Sequence, residues 1–229
     1  MNIWFATLAH LQSLDSHLFH VLNSRLALPG IEWLMLLLSN KKVGLWLAAG
    51  LATLVLWRSG RRWAGALVLT VTAVFLSDLS ASLLKVDLHR VRPCHVFADV
   101  RLLAGCTWSF GLPSNHASNL WAIATAAWAV RAPWRWPVLL LAGAVGYSRV
   151  YLGVHYPGDV LAGAIVGAGV TGLLVLMLAA VRATVPPLGP SLHVERRPPA
   201  TTAGEDGEHK HPGEVTRSAT LISPAHSPR

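Results

Sequence analysis

The run SRVYLGVHYPGDVLAGAIVGAGVTGLLVLMLAAVR, residues 148–182, decides how this chain is read. Its later part, residues 160–181, carries no charged side chain and is long enough to cross a bilayer, which takes roughly 20 apolar residues for about 30 Å of hydrocarbon. Directly before it stand Ser148, Arg149, His155 and Asp159. Polar groups gathered where a span surfaces are costly to desolvate and point to a site.

Working outward, the same alternation recurs. Residues 28–40, 43–57, 63–84, 116–130, 136–147 and 160–181 read as six candidate spans, the first containing Glu32 and the third Asp78. Several are shorter than a full crossing and need flanking polar residues to reach the interface. Residues 5–22 place Leu8, Leu11, Leu14 and Leu18 at helical spacing, with polar residues largely elsewhere, which suggests an amphipathic helix lying in the interface. A signal peptide fits less well, because the start is not basic and no clean apolar core follows. The fold class expected is all-α: a polytopic membrane helix bundle with about six transmembrane helices and an N-terminal interfacial helix.

Composition agrees. Hydrophobic residues make up 53% of the 229 and charged residues 13%, against about 25% charged in globular proteins. Ten tryptophans favour headgroup regions; Trp57 and Trp63 bracket Arg58, Arg61 and Arg62, and Trp134 and Trp136 bracket Arg135. The net charge of +8 lies before residue 183, where 14 Lys/Arg face 6 Asp/Glu, while the remainder holds 5 against 5. Basic residues at the ends of apolar segments, without a stripe or motif, argue against nucleic acid and for membrane phosphates. Residues 1–182 form the expected membrane domain. Residues 183–229, rich in Pro, Ser, Thr and mixed charge, read as a disordered tail. Its His193, His209, His211 and His226 are too irregularly spaced to suggest a metal tract.

Orientation follows from parity. With six spans, the arginine turns at 58–62 and 131–135 share a side with the tail, and the positive-inside tendency makes that side cytoplasmic. Lys41, Lys42, Lys85, Arg90, Arg92 and Arg101 then lie outward, so charge supports this only if the motif residues are functional.

Three polar stretches consequently share the outward face. In KVDLHRVRP, residues 85–93, Lys85 and Arg92 are seven apart, so a continuing helix would project both from one face as an anion clamp before Pro93 turns the chain. In PSNH, residues 113–116, Ser114 suits the N-cap of the fourth span, where free backbone N–H groups and His116 would meet a phosphate. In the third stretch, Asp159 follows His155 by four residues and can accept from one imidazole nitrogen, which leaves the other free to attack. Each stretch by itself also suits a structural role, as flanking charge, capping turn or helix cap.

On these residues the chain resembles the type 2 phosphatidic acid phosphatase superfamily. Lys85, Arg92 and Pro93 match Lys-x6-Arg-Pro, Pro113, Ser114 and His116 match Pro-Ser-x-His, and Ser148, Arg149, His155 and Asp159 match Ser-Arg-x5-His-x3-Asp. The resemblance covers about residues 10–182, including LDSHLFHVLN at 14–23, which looks like bacterial members. Asn115 stands where many members carry glycine. The resemblance implies a membrane lipid phosphatase. His155 would be the nucleophile that forms a phosphohistidine, Asp159 its orienting partner, and His116 the acid for the leaving oxygen and later the base for water. Lys85, Arg92, Ser114 and Arg149 would hold phosphate oxygens. It implies no cofactor and no metal, and the chain lacks a carboxylate cluster suited to magnesium.

The motifs grip phosphate and leave the lipid unspecified. Undecaprenyl diphosphate at the outer face of a bacterial inner membrane is the leading expectation. Lipid A phosphate, phosphatidylglycerophosphate and phosphoryl transfer to another lipid remain open, as does oligomeric state. A noncatalytic anion carrier or lipid-binding scaffold is the reading from another class; it has no need of paired histidines and Asp159. Asp78 reads as a bundle-interior residue, whereas Asp87, His89 and Arg90 receive no role. Cys94 and Cys106 lie in the outward loop, as a disulfide or as two free thiols.

Overall fold

Small residues determine how closely the helices approach. On α6 (Asn115–Ala129) the buried positions are Ala117, Ser118, Ala122, Ala124, Ala126 and Ala127; on α8 (Pro157–Thr184) they include Gly163, Ala164, Gly167 and Thr171. A Cβ on Gly163 or Gly167 would collide with the backbone of Ser114 or Ser118, so these glycines let α8 lie directly against α6. In this computed structural model residues 3–59 and 63–184 are described, and they belong to one unit, Met1–Pro186.

The remaining helices are α1 (Ile3–His20), α2 (Glu32–Ser39), α3 (Lys41–Ser59), α4 (Ala64–Leu88), the short α5 (Pro93–Val96) and α7 (Arg135–Tyr151), with a π-helical turn at Val21–Arg25. Among the described residues all regular elements are helical, as expected. Helix α6 is central and packs on α4, α7 and α8. Chain direction then places the end of α4, the start of α6, the end of α7 and the start of α8 at one end of the bundle. At the opposite end Trp63 and Trp134 meet, ring centroids 5.1 Å apart, at the starts of α4 and α7.

Among the described residues two stretches are long and apolar enough to cross a membrane: Ala64–Val96, which begins with α4, and Pro157–Thr184, with mean hydropathies of 1.9 and 2.4 and 17% of each apolar window buried. Their outer faces present Val68, Val71, Phe75, Leu161, Ile165 and Leu173. The other expected spans are helical but do not meet both conditions by themselves. Helix α2, with 8 residues, rises only ~12 Å and cannot cross alone. Helix α1 exposes Leu8, Leu11, Leu14 and Leu18 and turns Phe19 into the protein, matching its expected amphipathic form. The expected disordered tail and the heart of the 58–62 turn lie outside the described residues.

Candidate active site

The first motif departs from its expected geometry. His89 adopts a left-handed conformation (φ 47°) at the end of α4, so the helix stops after Leu88 and Arg92 is extended. Lys85 and Arg92 therefore do not share one helical face. They converge by folding back over the 109–113 loop. Lys85 Nζ donates to the carbonyls of Phe110 and Gly111, 3.2 Å each, and to that of Pro113. Arg92 Nε donates to the Ser109 carbonyl at 2.7 Å, and Nη2 to the Ser109 hydroxyl at 3.0 Å. Its Nη1 reaches the Val154 carbonyl at 3.1 Å and His155 Nε2 at 2.9 Å.

His155 is buried between Arg92 and Asp159. Its Nδ1 lies 3.2 Å from Asp159 Oδ2, which also accepts from the Tyr156 amide at 3.0 Å. Since Arg92 can only donate, His155 Nε2 must be the acceptor, which puts the proton on Nδ1 facing Asp159. Burial holds the imidazole well below its ordinary titration range, and the Arg92, Arg149 and Lys85 charges press the same way. The ring is thus a neutral, oriented base with one lone pair at Nε2. Glycine serves the turn before it: Gly153 sits at φ +81°, and a Cβ there would strike the Arg101 carbonyl.

Ser114 occupies the N-cap position of α6, as expected, but its hydroxyl caps nothing. Its backbone N–H donates to the Asp159 carbonyl at 2.9 Å, joining the second and third motifs, while its buried Oγ has no partner. Arg149 Nε is likewise buried without a partner, and its Nη1 donates to the Ser39 hydroxyl. His116 Nε2 donates to the Ser39 carbonyl at 3.0 Å, which leaves Nδ1 as the acceptor. Ser148 is not aimed at the site: its hydroxyl donates to Val145 within α7 at 2.7 Å.

Residues that sequence reading passed over complete the site. Ser39, at the end of α2, touches both His116 and Arg149. Arg90 Nη1 donates to Asp159 Oδ1 at 2.8 Å and Nη2 to Asp15 Oδ2 at 2.6 Å. Both pairings cross long sequence distances, and only the unexplained charge on Arg90 inside the first motif hinted at them. Asp78, expected in the bundle interior, accepts from Asn115 at 3.0 Å and Asn119 at 2.8 Å on α6. Asn115 thus ties the start of α6 to α4. Cys94 and Cys106 form a disulfide, Cα atoms 6.3 Å apart. They gather with His95, but the disulfide leaves neither sulfur as a thiolate ligand.

Known proteins resemble this arrangement. The model of the PAP2 superfamily matches residues 65–183. Lipid A 4′-phosphatase of Bacteroides thetaiotaomicron is 34% identical over 131 residues, 54% of this chain and 56% of that protein. Undecaprenyl-diphosphatase of Sulfolobus acidocaldarius is 31% identical over 126 residues, 54% of this chain and 59% of that protein. The chain therefore spans little more than half the length of these relatives. The crystal structure of Aquifex aeolicus LpxE superposes with a TM-score of 0.57 at 25% identity, covering 72% of this chain and 95% of that one.

Proposed function

We propose, because this chain belongs to the PAP2 superfamily, that it is an integral membrane phosphatase hydrolysing a lipid phosphate or diphosphate. One observation carries the reading: two buried donors without partners, Ser114 Oγ and Arg149 Nε, occur in the same site as a neutral, carboxylate-oriented imidazole. Unpaired buried donors cost about 1–3 kcal/mol each, and the oxygens of a phosphate would satisfy both.

The chemistry follows from the donors. A phosphate oxygen takes over the Arg92 N–H now directed at His155, which frees the Nε2 lone pair. Nε2 attacks phosphorus as the bond to the lipid oxygen breaks. His116, neutral at rest with Nδ1 free, takes the proton of the incoming phosphate monoanion and, as imidazolium, passes it to the departing oxygen. Neutral His116 then removes a proton from water, whose oxygen attacks the phosphohistidine and releases inorganic phosphate and His155. Arg92, Arg149, Lys85 and Ser114 offset the negative charge, and Asp159 stabilises the cationic ring.

A membrane-embedded bundle, with the site at the outer face of a bacterial inner membrane, suits the apolar sides of α4 and α8. Contact between Trp63 and Trp134 supports placing both arginine turns on the cytoplasmic side, which the tail would share. Undecaprenyl diphosphate is the first substrate to test. Lipid A phosphate is the second reading, favoured by the identity to lipid A 4′-phosphatase.

Purified protein with chelator should release inorganic phosphate from at least one member of a panel of undecaprenyl diphosphate, lipid A and phosphatidylglycerophosphate. His155→Ala should release none above background. Equal rates for both proteins would sink the enzyme reading. A C-terminal tag reached by an impermeant probe in intact cells would reverse the orientation.

A further inference from the structure

We propose that Arg90, gripped by Asp15 of α1, is a positioning residue for this site: it fixes one oxygen of Asp159 so that the other faces His155. The inference rests on the phosphatase reading above. Asp159 is fully buried, and Arg90 is its ion-pair partner at Oδ1, 2.8 Å away, while Oδ2 serves the His155 ring and the Tyr156 amide. With Oδ1 clamped, the carboxylate cannot rotate to present a different edge. Without Arg90, a buried carboxylate would lose its closest cation and seek another donor.

Arg90 is itself immobilised. Its guanidinium lies over the Tyr156 ring, 4.1 Å from the centroid, and its backbone carbonyl accepts from Gly111 at 2.7 Å. Both terminal nitrogens already hold carboxylates, whereas Arg149 keeps a buried nitrogen unpaired. That division separates an arginine that positions from one that binds. Asp15 closes the arrangement: Oδ2 takes Arg90 and Oδ1 accepts from the Gly158 amide at 2.7 Å, next to Asp159.

Among the described residues Asp15 is not the N-terminal segment's only tie to the protein. Asn23, fully buried just after α1, donates to the carbonyls of Tyr151 at 2.9 Å and Val150 at 3.2 Å and accepts from the Arg101 amide at 3.0 Å. The chain therefore has a separate anchor for its N-terminal segment, and the Asp15–Arg90 pair is built toward the site.

The test compares steady-state kinetics of full-length wild type, Arg90→Ala, Arg90→Lys, Asp15→Asn and Asn23→Ala on the lipid phosphate that the wild type cleaves, normalised to folded protein. Arg90→Ala should lower kcat about 10- to 100-fold, by analogy with the carboxylate partners that orient metal-bound histidines, with KM within about threefold. Arg90→Lys should recover part of kcat, and Asp15→Asn should lose several-fold. Asn23→Ala should lower the thermal midpoint and keep kcat. If Arg90→Ala does not fold, Arg90→Lys and Asp15→Asn carry the test, both expected below wild type in kcat. Wild-type kcat in the Arg90 and Asp15 variants, or a loss confined to KM, overturns the positioning role. A wild type inactive on the whole lipid panel instead overturns the phosphatase reading beneath it.

Discussion

The two ends of the bundle use their cations differently. Where α4 and α7 finish and α6 and α8 begin, Lys85, Arg90, Arg92 and Arg149 each reach a group at least 17 positions away in sequence. At the opposite end Arg135 lies over Trp128, 5.5 Å from the ring centroid, and donates to Ala132 three residues back. Long-range partners fix a cation in space, as the proposed chemistry on a phosphate requires. Local partners leave it free to follow a headgroup layer.

Substitutions can break this contrast. Arg149→Ala should cost about 10²–10³ in kcat/KM, the loss expected when a preorganised donor to a developing anion is removed. Release of phosphate from a soluble short-chain lipid phosphate would measure it. A loss below threefold would place Arg149 with the interfacial arginines.

Much of the site was legible because its chemistry is local in sequence. His155 and Asp159 are four apart and meet as their spacing requires, and Ser114 and His116 lie at a helix start signalled by Pro113. Lys85 and Arg92 meet over the 109–113 loop and not on one helical face as expected, because nothing before Pro93 announced that His89 would end the helix in a left-handed turn. Ser39, Asp15 and Arg90 were illegible for a different reason. Their partners are brought in by tertiary packing, and no periodicity records a contact 75 or 110 residues long. The helices themselves followed from hydrophobic runs, whereas among the described residues only two of the six expected spans are long and apolar enough to cross by themselves.

Acidity sharpens the contrast further. Burial and Arg92 depress the His155 titration below the ordinary histidine value of about 6.5. Between the folded and unfolded values the unfolded chain binds the extra proton, so this contribution to stability is complete above about pH 6.5 and lost as pH falls below it. Ring ¹⁵N shifts should show His155 neutral at pH 6. Arg92→Ala should raise its titration toward the ordinary value. A ring already charged at pH 6 in wild type would contradict the buried arrangement.

The smallest effect belongs to the other end. Trp134→Ala should change kcat less than about twofold, a barrier change under ~0.5 kcal/mol, because Trp134 lies with Trp63 at the end away from His155, while weakening retention in vesicles. A kcat loss as large as that of Arg149→Ala would show that the two ends are not separable.

The central claim is that His155 attacks phosphorus. Rapid quenching of the wild type with a ³²P-labelled lipid phosphate should trap an acid-labile, base-stable label on the peptide carrying His155, absent from His155→Ala. Label on His116 instead, or no covalent label under conditions where the dephosphorylated lipid is released in a burst, would contradict it.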